Sequence, residues 1–155
     1  MEGLITAALI RPMTEEDLDD VEKLEQATFV EPWSQACFRQ DLHRPHSLAL
    51  VAVKDGRLAG YAVAWAEEEL HVANIAVEPA FRRLGIGRAL MQQLETFGRR
   101  RGVKSVYLEV RQSNTEAQAF YRRLGFVQTY VRRGYYSNGE DAVVMEKDIA
   151  AGQGQ

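Results

Sequence analysis

A single cysteine, Cys37, in a chain of 155 residues leaves no partner for an intramolecular disulfide and fits a reducing compartment. Histidine is nearly as scarce. With three in all, and His43 and His46 separated by Pro45, the usual ligand spacings give no metal set, and none is expected. No apolar run approaches the length of a membrane span and no signal segment opens the chain, so a cytoplasmic protein without membrane contact is expected. Charge of one sign is lacking too. A formal net charge of −3 excludes a broadly basic surface made to coat nucleic acid, and no direct nucleic-acid partner is expected. The four prolines stand at the ends of elements or in a loop, no repeat is visible, and no linker exceeds a turn. With 46% hydrophobic residues the chain can build one core and has no room for a second, giving a single domain over residues 1–149 and a frayed tail over 150–155.

Glycine is present where it matters. The stretch Arg82-Arg83-Leu84-Gly85-Ile86-Gly87-Arg88 runs directly into a helical pattern whose buried face is marked by Leu90, Leu94 and Phe97. Two glycines there let the backbone approach a ligand and take up conformations a Cβ would forbid. The amides of the loop, the positive end of the helix dipole and three arginines together suit a phosphate or pyrophosphate. A P-loop would need Lys and Ser or Thr after the last glycine, where Arg88 and Ala89 stand. A dinucleotide fingerprint would need a third glycine where Leu90 stands, although Glu109 ends the next strand as a ribose ligand should.

In chain order, Leu4 to Arg11 reads as a strand ended by Pro12. Thr14 caps a helix with Leu18, Val21, Leu24 and Thr28 inward, and Ser34 caps a shorter one carrying Cys37, Phe38 and Leu42 inward. Cys37 in that stripe reads as a buried, inert thiol. Leu48 to Lys54 and Arg57 to Ala66 form a hairpin about Asp55-Gly56, and a third strand runs from Glu69 to Val77. After the glycine loop come a helix to about Arg101, a strand from Ser105 to Val110, and a helix opened by Asn114 and Thr115 with Ala117, Phe120, Tyr121 and Leu124 inward. Phe126 to Tyr135 and Ala142 to Asp148 close the chain as an antiparallel pair. The order β-α-α-β-β-β-α-β-α-β-β puts antiparallel strands ahead of the glycines, whereas a dinucleotide fold opens on its glycine-bearing unit.

Arg82-x-x-Gly85-x-Gly87, Asn114 and the run Ala119-Phe120-Tyr121-Arg122-Arg123-Leu124-Gly125-Phe126 resemble the acyl-CoA core of the GNAT acetyltransferase superfamily, over about Leu4 to Ile149. Asn74-Ile75-Ala76-Val77, Leu108-Glu109-Val110-Arg111-x-Ser113-Asn114 and Arg132-Arg133-x-Tyr135-Tyr136 through Met145 resemble the protein N-terminal acetyltransferases. Pro32-Trp33-Ser34 is similar to the bacterial branch that acetylates the N-terminal alanine of a ribosomal protein. The resemblance implies an α/β GNAT fold, with a mixed, mostly antiparallel sheet of about seven strands, helices on both faces, and two strands splayed into a wedge for acetyl-CoA. It implies that Ile75, Ala76 and Val77 offer backbone groups to the cofactor arm, that Arg83, Leu84, Gly85, Ile86, Gly87 and Arg88 wrap its pyrophosphate, and that Asn114 touches it near the thioester. Tyr135 and Tyr136 on their own read as hairpin packing; the resemblance implies that with Trp33 they line a slot for a protein N-terminus in an enzyme working by direct transfer, and a monomer is expected.

Acetyl transfer to an amine needs the amine neutral. An α-amine with an ordinary pKa of ~7.7–8.0 benefits from a base. On the strand around Glu109, Val106, Leu108 and Val110 face one way and Tyr107, Glu109 and Arg111 the other. A carboxylate walled by a sheet is expected to have its pKa raised by desolvation, as a base requires. A salt bridge of Glu109 to Arg111 or a neighbour fits the strand pattern equally well, and the resemblance favours the base. Tyr121 could equally be core packing beside Phe120; its place in the Tyr-x-x-Leu-Gly-Phe run implies the acid that protonates the departing thiolate. A GNAT acting on a small amine, or an acyl-CoA binding module without catalysis, are the competing classes; the second should lack a base and an acid.

Overall fold

The computed structural model describes residues 8–150. Its elements follow the expected order: β1 (Leu9–Pro12), α1 (Leu18–Thr28), α2 (Gln35–Leu42), β2 (Ser47–Lys54), β3 (Arg57–Ala66), β4 (Leu70–Val77), α3 (Ile86–Arg100), β5 (Ser105–Arg111), α4 (Thr115–Arg123), β6 (Val127–Arg132) and β7 (Ala142–Asp148). Short 3-10 turns precede α1 and the glycine loop, at Glu15–Asp17 and Pro79–Phe81. The strands form one seven-stranded sheet in the order β1-β2-β3-β4-β5-β7-β6.

Each face of the sheet carries its own core, as strand alternation requires. On one face α3 and α4 bury Ile86, Leu90, Met91, Leu94 and Tyr121 against Leu50, Ala62, Val72, Val106, Leu108 and Val110. On the other, α1 and α2 bury Leu18, Val21, Leu24 and Phe38 against Val51, Tyr61, Val63 and Ala76. The β2–β3 hairpin turns through Asp55 and Gly56, both at positive φ (55° and 73°), the pairing a type I′ turn demands.

One parallel pair interrupts the antiparallel sheet, and it is short. β4 and β5 are joined only at Leu70↔Val106 and His71↔Tyr107. Beyond those two rungs β5 stays paired with β7 as far as Arg111↔Ala142, while β4 stays with β3 as far as Val77↔Gly60. The two strands therefore part. A bulge sits where they do: Asn74 pairs with Val63 and Val72 with Ala64, leaving Ala73 as the extra residue that bends β4 away. The expected wedge is thus present, with the backbone of Ile75, Ala76 and Val77 along one wall.

Several local expectations are corrected. Pro12 lies inside β1 as its last residue, on an edge strand where its missing N–H costs no sheet bond, while Leu4 to Ala7 of the predicted strand fall outside the described residues, as does the tail from residue 151. Thr28 is exposed and Glu25 is buried in its place on the α1 stripe. Cys37 is exposed, because the eight-residue α2 turns only Phe38 and Asp41 fully inward. The strand predicted to reach Tyr135 ends at Arg132, since Gly134 at φ 59° turns the chain and places Tyr135 and Tyr136 in the loop before β7.

Candidate active site

The glycine loop leaves β4 at its C-terminal end and passes through two left-handed residues, Arg83 (φ 67°) and Gly85 (φ 83°). Gly85 is the N-cap of α3 and has no side chain to satisfy the first-turn amides. The Ala89 N–H bonds back to the Gly85 carbonyl at 2.9 Å, so the amides ahead of it remain open to a guest. Leu84 and Ile86 point into the α3 core and offer only backbone to a ligand, whereas Arg83 and Arg88 are exposed. Gly87 corrects the expectation that both glycines need forbidden backbone. It lies in the first helical turn, and a Cβ there would come 2.9 Å from Cζ of Phe120, so its smallness admits the α4 ring rather than a left-handed turn. Asn114 caps α4 by accepting the Ala117 N–H at 3.0 Å, which leaves its own amide N–H groups for another partner.

Glu109 stands on β5 just past the last rung joining it to β4, on the face opposite Leu108 and Val110. Its carboxylate is nearly buried, with a side chain 10% exposed. Oε1 lies 2.7 Å from Nε2 of His71, and Oε2 lies 3.6 Å from Nε of Arg132. Of the alternative in which Glu109 pairs with Arg111 or a neighbour, the neighbour is what the structure shows: Glu109 pairs with Arg132 and His71 and not with Arg111. Arg111 instead binds Glu31 (3.4 Å) and Glu140 (2.9 Å), donates to Asn138, and lays its guanidinium 3.9 Å over the Tyr136 ring. Through it the α1–α2 loop and the β6–β7 loop are tied to the end of β5; Glu31 also accepts the Ser137 N–H at 3.1 Å. Hydrogen bonds from Ser113, then Arg111, hold the Glu140 carboxyl below its ordinary range.

Tyr121 comes from the other face. α4 buries its ring among the α3-side core, and burial, with a smaller contribution from Tyr136, raises its phenol well above the ordinary value. Among the described residues its hydroxyl has no hydrogen-bond partner. Tyr136 is half-buried and pushed up to about 12, chiefly by burial, with Arg111 opposing and Glu109 adding to the rise; Tyr136 in turn acts on Tyr121. Tyr136 thus lies within electrostatic reach of Glu109 on one side and of Tyr121 on the other. Tyr135 is about half exposed and packs edge-on against Tyr136.

Two residues that sequence reasoning passed over complete the arrangement. His71 sits on β4 opposite Tyr107, and a strand-alternation argument could have placed it on Glu109's face only if the β4–β5 register had been known. Glu25 is 1% exposed with no salt-bridge partner among the described residues; Asn74 gives it two 3.0 Å bonds, the Tyr61 hydroxyl one of 2.6 Å, and the Trp33 N–H one of 3.0 Å. It thus pins the Trp33 loop to β3 and to the bulge of β4, while the Trp33 ring packs on Phe38 and stacks on Trp65. Burying a carboxylate is tolerable only with such donors. Glu25→Ala strands the Tyr61 hydroxyl and the Asn74 amide, each at about 1–3 kcal/mol, and is expected to lower unfolding free energy in urea by about 3 kcal/mol. A loss below about 1 kcal/mol would mean that both donors find new partners.

Among the described residues no group of three or more His, Cys, Asp or Glu is placed to hold a metal ion, and no helix is long and apolar enough to cross a membrane. The sequence pattern of the Acetyltransferase (GNAT) family matches residues 18–126. The N-alpha-acetyltransferase RimI of Mycobacterium tuberculosis is 40% identical, over 90% of this chain and 91% of its own. The crystal structure of the ribosomal-protein-S18-alanine N-acetyltransferase from Escherichia coli superposes with a TM-score of 0.81 at 34% identity, covering 96% of this chain and 99% of that one. Ard1 from Thermoplasma volcanium gives 0.84 at 32% identity, covering 92% and 97%. With a seven-stranded mixed sheet, a β4–β5 wedge and likeness of this extent along nearly the whole chain, the protein belongs to the GNAT acetyltransferase family.

Proposed function

We propose that the protein transfers acetyl from acetyl-CoA to the α-amine of a protein N-terminus in the cytoplasm, with the N-terminal alanine of a ribosomal protein as the favoured acceptor. The observation that carries this is the wedge between β4 and β5, with Glu109 on β5 just past its vertex. Likeness to the Escherichia coli S18-alanine enzyme over 96% of the chain supports the acceptor. So does the Arg111 junction, which joins the two loops expected to flank a peptide into one rim.

The wall of the wedge fits the cosubstrate. Ile75, Ala76 and Val77 carry backbone groups facing no strand on the β5 side, and the open amides at Gly85 to Arg88 with the exposed Arg83 and Arg88 suit a pyrophosphate. Acetyl-CoA supplies the acetyl group as a thioester. Glu109 accepts a proton from the acceptor ammonium, Tyr121 holds the proton the sulfur will need, and Tyr135, Tyr136 and Trp33 border the entry of the peptide.

Two experiments test the reading. Gly85→Val places its Cβ in open space and forces a β-branched residue to φ 83°, so acetyl-CoA affinity by calorimetry is expected to fall about tenfold or more with circular dichroism unchanged. Unaltered affinity in the folded variant would remove the loop from the site. Separately, the protein is incubated with acetyl-CoA and peptides bearing a free N-terminal alanine, the same peptides blocked at the N-terminus but carrying a lysine, and small amines. Mass spectrometry should find acetyl on free N-termini; equal rates on blocked peptides or small amines would defeat the proposed acceptor.

A further inference from the structure

We infer that His71 is a positioning residue for Glu109: its Nε2–H holds one carboxylate oxygen at the vertex of the wedge, so that the other is presented to the acceptor amine. The inference rests on Glu109 being the base. A carboxylate can only accept, so at 2.7 Å the proton between the two groups is carried by Nε2 of His71. The bond is set by the fold. His71 and Tyr107 form the last rung between β4 and β5, and Glu109 lies two residues further along β5 on the same face.

The imidazole is fixed before Glu109 meets it. Its ring stacks on Tyr107 with centroids 4.4 Å apart and planes 2° apart, and Trp65 meets it edge-on at 5.2 Å. Trp65 is held in turn by a 3.0 Å bond from its indole N–H to Asp41. His71 therefore has little freedom to follow the carboxylate; the carboxylate must come to it.

A competitor stands on the other side. Nε of Arg132 is buried, has no hydrogen-bond partner among the described residues, and lies 3.6 Å from Oε2, too long for a hydrogen bond and close enough for an ion pair. A buried donor without a partner favours any movement that satisfies it. Released from His71, Glu109 could close that gap and spend its free oxygen on Arg132 instead of on the amine. His71 keeps it from doing so.

Three variants separate hydrogen bonding from packing. His71→Phe keeps the stack on Tyr107 and deletes the donor; His71→Asn stays polar but is too short to reach Glu109; His71→Gln can still donate at the right reach. With an alanine-terminated peptide, kcat is expected to fall about 10- to 100-fold in the Phe and Asn variants, the usual cost of removing the partner that orients a working group. Peptide KM and acetyl-CoA affinity should hold within about twofold, because only presentation of the base is touched. His71→Gln should recover to within a few-fold of the parent. A parental kcat in His71→Phe, or a Gln variant as slow as the Phe one, overturns the inference. Glu109→Gln run alongside distinguishes the failures. If it too turns over at the parental rate, the assignment of the base has failed; if it is slow while His71→Phe is fast, only the positioning role has.

Discussion

Glu109→Gln is expected to lower kcat by on the order of 10²–10⁴ at neutral pH, the usual worth of a positioned base, with acetyl-CoA affinity unchanged. The substitution is nearly isosteric, and the amide oxygen can still accept the Nε2–H of His71, so the vertex of the wedge should keep its shape. Only proton acceptance is lost. Because an α-amine ordinarily titrates at ~7.7–8.0, the acceptor becomes neutral without help as pH rises past that range. The variant should therefore regain part of its rate at high pH, while the parent, which does not depend on a pre-neutralised amine, rises less. A variant with the parental rate and an unaltered pH–rate profile would make Glu109 a structural carboxylate whose work is to hold His71 and Arg132.

How much of this could be read from sequence depends on which physical signal each residue emits. Strand alternation on β5 was legible, because Val106, Leu108 and Val110 differ sharply in polarity from Tyr107, Glu109 and Arg111, and the structure keeps that division. The hairpin was legible from Asp55-Gly56, whose two positive φ angles few other residue pairs tolerate. The glycine loop was legible at Gly85 for the same reason. At Gly87 the structure gives a glycine a different reason from the expected one, since the ring it admits comes from Phe120, thirty-three positions later.

What escaped is tertiary. Glu25 lies on the helical stripe with Val21 and Leu24, but a charged side chain there reads as solvent-facing until Tyr61, Asn74 and the Trp33 amide are seen converging on it. The wedge was carried by resemblance alone, because the bulge at Ala73 is a property of the β3–β4 register, and nothing in the type of an alanine announces it. His71 was invisible for a related cause. The two-rung contact between β4 and β5 decides which residue of β4 faces Glu109, and parallel registers across a helical crossover leave no local signature. Cys37 shows the opposite error, an apolar residue assigned inward on a helix too short to bury a full stripe.

Tyr121→Phe deletes a single hydroxyl, keeps the ring that packs among Leu124, Phe126 and Phe120, and is expected to cost on the order of 10²–10⁴ in kcat while acetyl-CoA affinity holds. The environment suits an acid. Burial disfavours the phenolate, so the pKa is raised, and the sign follows: the hydroxyl keeps its proton throughout the neutral range and well past the ordinary phenol value of about 10. A reactive acid must be protonated when the thiolate departs, and the raised pKa secures that; it also makes the phenol a weaker donor, so donation is driven by the charge developing on the sulfur. The parent should consequently show no alkaline loss of rate attributable to this tyrosine up to about pH 10, whereas an exposed phenol would begin to lose its proton there. Among the described residues the hydroxyl has no hydrogen-bond partner, so the substitution strands no protein group and stability should move by less than about 1 kcal/mol, which keeps the kinetic readout clean. Single-turnover measurements with the alanine-terminated peptide should show the loss in the chemical step. If the Phe variant turned over at the parental rate with stability unchanged, the proton would have to reach the sulfur from water or from the neighbouring Tyr136, and Tyr136→Phe would then carry the defect instead.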